Sequence, residues 1–169
     1  MIRVIWRRLL GLFLVLVMAW LWVLLSATPA YAQENTVNYS LTDLSYRNFS
    51  HKNLVGGVFA GAEMRGTNFQ GADLSGSIFT KGNLLKANLK GANLTNSLAD
   101  RVFLDQAILT NAILTDAIMN STRFYDAEIT GADFTDAVID RYQAKLMCER
   151  AKGINPVTGI STRDSLGCP

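Results

Sequence analysis

The chain has 169 residues, 49% apolar and 18% charged, with a formal net charge of +2, a size that fits one domain plus an export segment. A single histidine, His51, rules out a histidine-rich metal centre and leaves little for general-base catalysis.

The first 32 residues contain no acid. Arg3, Arg7 and Arg8 precede an apolar run from Leu9 to Leu25, and Ala30-Tyr31-Ala32 puts small residues at the two key cleavage positions. This is the layout of a bacterial signal peptide, with cleavage expected between Ala32 and Gln33 and no membrane span thereafter. The run approaches spanning length, so an uncleaved anchor is the competing reading. Arg7-Arg8 lacks the flanking polar residues of a twin-arginine signal, which points to the general secretory route. Without the three leader arginines, thirteen basic residues face fourteen acids, a net charge of −1. The basic pI therefore belongs to the precursor and carries no argument for nucleic acid.

Residues 33–41 read as an N-terminal cap segment. From Leu44 to Ile139 every fifth residue is apolar, and two residues before each stands a mostly small one, such as Ala62, Ala72, Ala87 and Ala132. A period of five is neither helical nor strand-like. One large and one small inward position per short repeat describes a solenoid, with the other three positions in solvent. Asn or Asp before the centre suits a turn. Gly61, Gly66, Gly71 and Gly76 suit a turn with positive φ. Arg47 and Lys52 break the small column, which predicts a looser first coil with alkyl stems over the core. An open coil edge invites pairing; residues 33–41 cover it, or it is a homodimer contact. Charge is polarised along the repeats: +3 from Asp43 to Lys90 and −6 from Asp100 to Asp140.

Beyond Ile139 the period stops. Asp140 to Lys152 reads as a helix closed by Gly153, and Asn155 to Gly159 as a turn. In an exported chain with only two cysteines, Cys148 and Cys168 are expected to form a disulfide that staples a C-terminal cap over residues 142–169. Closing that loop contributes about 3 kcal/mol on the chain-entropy account. A redox-switched cap is the alternative.

Ala72-Asp73-Leu74-Ser75-Gly76, Ala87-Asn88-Leu89-Lys90-Gly91 and Ala92-Asn93-Leu94-Thr95-Asn96 match the A-(D/N)-L-x-x signature, and the chain resembles the pentapeptide-repeat proteins from Thr42 to about Arg141. The resemblance implies an all-β solenoid, a right-handed quadrilateral β-helix with four pentapeptides per coil and about five coils, roughly 24 Å long. On such a coil Asn48, Asn68 and Asn88, twenty apart, are expected to form a side-chain ladder. The tail, Cys148-Glu149, Gly153 to Gly159 and Thr162 to Cys168, resembles thylakoid-lumen members of that family. It implies a cyanobacterial chain and a lumenal destination, with the periplasm as alternative. The resemblance brings no catalytic residue and no cofactor.

One outward column departs from the polar pattern: Val58, Ile78, Leu98, Ile118 and Val138, spaced by twenty, with Phe103, Ile108 and Ile113 on the other faces. Such a stripe is a docking face for a lumenal or membrane protein, is covered by the termini, or reflects β-propensity alone. The stacked acids Asp116 and Asp136, with Asp133 near them, read as a solvated corner rather than a Ca²⁺ site. The sequence therefore points to a non-enzymatic scaffold. Its rivals are a redox-regulated module through Cys148–Cys168 and a DNA-mimicking topoisomerase inhibitor, which the signal peptide and the net charge of −1 oppose.

Overall fold

The computed structural model describes Phe13, Leu14, residues 16–22 and residues 36–169. The chain divides into two compact units, Met1–Asn35 and Thr36–Pro169. The described residues of the first unit are helical, and no described helix is long and apolar enough to cross a membrane. The expected cleavage site after Ala32 lies outside the described residues.

The second unit is a square β-helix whose rungs are set by register. Parallel bridges join residues twenty apart, from Asn38↔Val58 down every face to Ile118↔Val138. Up to the last coil, each central N–H donates to the carbonyl nineteen residues on, as Leu84 N does to Phe103 O at 2.8 Å. The residue before the centre donates back to the previous coil, as Asn83 N does to Ala62 O at 3.0 Å. Only Ile118–Met119 (β1) and Val138–Ile139 (β2) lengthen into two-residue strands.

Corners connect the rungs. The residue three after the centre donates to the central carbonyl, closing a β-turn such as Ala72 N to Phe69 O at 3.0 Å. The third turn residue takes positive φ in each repeat from Leu41 to Asp136, the type II pattern. Gly61, Gly66, Gly71 and Gly76 fill it as expected, yet thirteen non-glycine residues fill it too, including Lys81, Arg101 and Asp126. The eight of those that are neither Asn nor Asp each cost about 1–2 kcal/mol, which the rung hydrogen bonds and the core must offset.

The repeat begins earlier than the sequence reading placed it. Residues 37–41 are not a separate cap segment: Tyr39 stands in the central column, its ring stacked 5.6 Å from Phe59, and Asn38 bridges Val58. Below it Phe59 stacks on Phe79 at 4.9 Å, and Phe49 on Phe69 at 5.4 Å. Phe59 and Phe69 meet edge to face across the interior. The small column leaves room for these rings, and its hydroxyls bond carbonyls of the preceding coil: Thr67 to Leu44 O at 2.8 Å, Ser77 to Leu54 O at 2.9 Å. Ser97 is equally buried and its hydroxyl has no partner. Arg47 and Lys52 are exposed, as their charge requires.

After Ile139 the chain forms a helix over Arg141–Cys148 (α1), shorter than the expected 140–152, and a second, unforeseen one over Thr162–Ser165 (α2). The helix stops early because Arg150, Ala151 and Lys152 return to the solenoid. Arg150 Nε donates to Ala127 O at 3.1 Å, Ala151 is buried, and Lys152 O accepts from Gly131 N at 2.9 Å. Cys148 and Cys168 are disulfide-bonded.

Phe59→Ala is expected to lower unfolding free energy by about 3–5 kcal/mol. Ser97→Ala, which removes an unpaired buried hydroxyl, is expected to be neutral or stabilising. Urea unfolding followed by circular dichroism measures both.

Candidate functional site: an apolar column and a paired C-terminal edge

The repeat determines what each outward position can do. Where Asn or Asp precedes the centre, its Oδ1 accepts the N–H of the residue after the centre. Asn48 takes Ser50 N at 3.0 Å, Asp73 takes Ser75 N at 3.1 Å, and Asn93 takes Thr95 N at 3.1 Å. Side-chain rungs add to this, though unevenly. Asn68 Nδ2 donates to Asn48 Oδ1 at 3.2 Å, but Asn88 Nδ2 turns to Gln70 Oε1, so the expected asparagine ladder has one rung instead of two.

The column Val58, Ile78, Leu98, Ile118, Val138 occupies this same position on one face, joined link by link by parallel bridges. Ile78, Ile118 and Val138 are 36%, 43% and 49% exposed, and Val58 and Leu98 are half-buried. A hydrocarbon side chain cannot accept the following amide. The N–H groups of Ala60, Thr80, Asp100 and Asn120 accordingly have no acceptor among the described residues. The face presents an apolar ridge beside a row of free backbone donors.

Around the corner that carries Arg101, the adjacent face holds a cluster the sequence reading missed. Asp105, nearly buried, accepts from Arg123 Nε at 3.1 Å, from Arg123 Nη2 and from Tyr125 N at 3.2 Å. The Arg123 guanidinium lies 4.5 Å from the centre of the exposed Phe103 ring and 5.7 Å from that of Tyr125. The hydrogen bond to Asp105 raises the Arg123 pKa, against a smaller opposing effect of burial. The Asp at 105 and Arg at 123 are eighteen residues apart, an offset that only the coil geometry makes local.

At the C-terminal edge, side chains supply what a further coil would have supplied as backbone. Asp140 Oδ2 accepts Ser121 N at 2.7 Å, Gln143 Oε1 accepts Phe124 N at 3.1 Å, and Ser165 Oγ accepts Phe134 N at 3.0 Å. Asn155 is buried, and its Nδ2 reaches the carbonyls of Ala112 and Gly131 at 3.2 and 2.9 Å. Gly131 is buried at φ 70, where an added Cβ would run into Asn111 and lie 3.2 Å from Ile154 O. The Asn155–Gly159 turn forms as expected, closed by Gly159 N to Asn155 O at 2.9 Å. Asp133 does not join Asp116 and Asp136 in solvent. It is buried and accepts from Thr135 N and Oγ1 at 2.9 and 2.6 Å.

Comparison with known proteins settles the family. The sequence matches the family described as pentapeptide repeats, in eight copies over residues 42–80, 87–124 and 100–136. The chain belongs to the pentapeptide-repeat family. It is 60% identical over 42 residues to the chloroplastic thylakoid lumenal protein TL20.3 of Arabidopsis thaliana, and 46% identical over 48 residues to the thylakoid lumenal 15 kDa protein 1 of that plant. These segments are 25% and 28% of this chain and only 15% and 21% of the relatives. A crystal structure of a pentapeptide-repeat protein from the Arabidopsis thaliana thylakoid lumen superimposes with a TM-score of 0.75 at 37% identity, covering 77% of this chain and 90% of that one. The plasmid-mediated fluoroquinolone resistance protein QnrB1 shares the fold at a TM-score of 0.51 and 20% identity, over 67% of this chain and 69% of its own. The right-handed quadrilateral β-helix and the lumenal destination read from the sequence agree with the lumenal relatives.

Burial pushes the Asp133 pKa up, but the hydrogen bonds from Thr135 and Thr158 outweigh it, and the pKa lies below the ordinary value. A depressed carboxyl stabilises the fold above its unfolded pKa, near 4, and that contribution is lost as pH falls through the lower folded value. Acid unfolding of Asp133→Asn is therefore expected to show a weaker fall in stability below pH 4 than the parent, because the amide still accepts from Thr135 but does not titrate.

Proposed function

We propose that this chain is an exported, non-enzymatic scaffold of the thylakoid lumen, and that the face bearing Val58, Ile78, Leu98, Ile118 and Val138 docks a lumenal or membrane protein, in the service of a photosynthetic complex. The observation that carries the reading is the exposed column itself, continuous over five coils and bordered by unpaired amides. Exposed contiguous apolar surface on a soluble domain marks contact sites. The C-terminal residues serve as a cap that ends the ladder, and Cys148–Cys168 ties that cap together.

Size argues for a larger partner rather than a second copy through this face. Four coil spacings by one five-residue side give roughly 300 Å², well short of the ~800 Å² per partner of a stable interface. The neighbouring face extends the surface with Phe103, Arg123 and Tyr125, residue types that dominate binding energy at interfaces. A partner that wraps the Arg101 corner reaches both.

The test is capture from lumenal and thylakoid-membrane extracts with the parent chain and with Ile78→Asp/Leu98→Asp/Ile118→Asp, after circular dichroism shows that the variant folds. A partner held by the parent and reduced at least tenfold on the variant supports the docking face. Equal recovery by both chains moves the function elsewhere, to the charged ends or to a redox response of Cys148–Cys168.

A further inference from the structure

The sign of the charge changes at the end of the solenoid. Residues 100–140 carry two basic residues against eight acids, whereas residues 141–169 carry five against two. Three of those five, Arg141, Lys145 and Arg163, line one groove of about 510 Å³, whose floor is Ala144, Leu166 and the half-buried disulfide. Arg141 and Lys145 stand one turn apart on α1 and therefore on one side of it. Neither forms an ion pair among the described residues, where the ion pairs are Arg101–Asp100 and Arg123–Asp105. Arg163 is held in place by its bonds to Cys148 O at 3.1 Å and Pro169 O at 2.6 Å. Glu149 is the acidic side chain on the rim, and in a chain that ends at Pro169 the terminal carboxylate, already bound by Arg163, is a second anion there.

We propose that this groove binds an anionic amphiphile, with a carboxylate or phosphate head on Arg141 and Lys145 and an apolar tail over Ala144, Leu166 and the disulfide, Arg163 fixing the opposite wall. The volume lies within the range of small-molecule sites, which combine an apolar lining with a few convergent polar groups. Guanidinium groups recognise planar carboxylates and phosphates by paired hydrogen bonds, and unpaired cations at a surface attract anions over several ångströms. A bare anion would leave the apolar floor unused, and a neutral amphiphile would leave the cations unused. The disulfide then has a second consequence: it forms part of the floor and ties the segment carrying Arg163 to α1.

The groove lies wholly within Thr36–Pro169, a compact unit with its own rungs and core. Residues 33–169, labelled with ¹⁵N, are titrated with laurate and dodecyl phosphate below their micelle concentrations. The expected result is saturable, one-to-one movement of amide signals in residues 144–148 and 163–168. Arg141→Gln/Lys145→Gln, whose side chains make no hydrogen bond among the described residues, is expected to bind at least tenfold more weakly. The exchange variant Arg141→Lys/Lys145→Arg is expected to stay within about threefold of the parent. Inorganic phosphate and dodecyl maltoside serve as half-ligands and are each expected to bind at least tenfold more weakly than dodecyl phosphate.

Equal binding by dodecyl maltoside, undiminished binding by the glutamine variant, or inorganic phosphate binding as tightly as dodecyl phosphate overturns the proposal. So does tighter binding of an octaglutamate peptide, which would make the groove a docking point for acidic protein. Sedimentation with vesicles of phosphatidylglycerol or phosphatidylcholine separates two sources of the same chemistry. Retention on the anionic vesicles supports a bilayer headgroup, and binding of the free amphiphile alone supports a soluble ligand.

Discussion

The corner turn, with its third residue at positive φ, is the constraint on which the rest of the structure depends. Positive φ recurs in each repeat from Leu41 to Asp136, and at every corner but one the residue three beyond the centre donates to the central carbonyl. At the Arg101 corner Val102 N donates to Thr122 Oγ1 instead, and the φ is kept. Once every corner turns by the same geometry, four repeats close a square and residue n lies over residue n + 20. Everything local in this molecule then follows from a long sequence offset: Phe59 on Phe79, Thr67 on Leu44 O, Arg123 on Asp105. Thirteen side chains accept an unfavourable backbone conformation to keep that register. A repeat able to form the turn only with glycine would have no freedom at its corners to place Arg101 or Asp116.

A ladder without sheet edges along its length still has two ends. At the C-terminal end the solution is chemical imitation: a carboxylate, an amide and a hydroxyl occupy the acceptor places of an absent coil, and Arg150 supplies donors to Ala127 O and Phe124 O. These bonds are distributed along α1, the Asn155 turn and α2, so no single element ends the solenoid by itself. The disulfide between Cys148 and Cys168 joins α1 to the tail that follows α2, and it acts on a segment already satisfied by hydrogen bonding. A buried donor or acceptor left unpaired costs about 1–3 kcal/mol, so several such bonds together outweigh the chain-entropy contribution of the bridge.

The columns were legible in the sequence because a period of five has no helical or strand competitor, and the stripe was legible because the family resemblance implies four repeats per coil. The start of the frame was not. Thr36-Val37-Asn38-Tyr39-Ser40 carries valine in the small column and tyrosine in the large one, and it follows a leader of different character. The end of α1 was misplaced because Glu149 to Lys152 has ordinary helical propensity; what overrides it is the pull of Arg150 and Lys152 toward carbonyl and amide groups of the last coil. Gln143, Asn155 and Asp105 escaped notice for a related reason. Their partners lie nineteen, forty-three and eighteen residues away, and a short polar side chain announces nothing about a distant edge.

The same physics bears on why the stripe exists. At the position before the centre, Asn or Asp closes the next exposed amide, a bond of about 0.5–1.5 kcal/mol. Five consecutive coils give up that bond on one face and place hydrocarbon in water instead. Preference for extended backbone is a weak explanation, because most of these bridges are a single residue long and Leu98 has no β-branch. Cover by the C-terminal segment fails for Ile78, Ile118 and Val138, which remain exposed while that segment binds the Asn111–Gly131 corner. Stability selects for asparagine at these positions and the chain has valine, isoleucine and leucine. The docking proposed above would offset that loss, with a partner covering the ridge and accepting from the amides beside it.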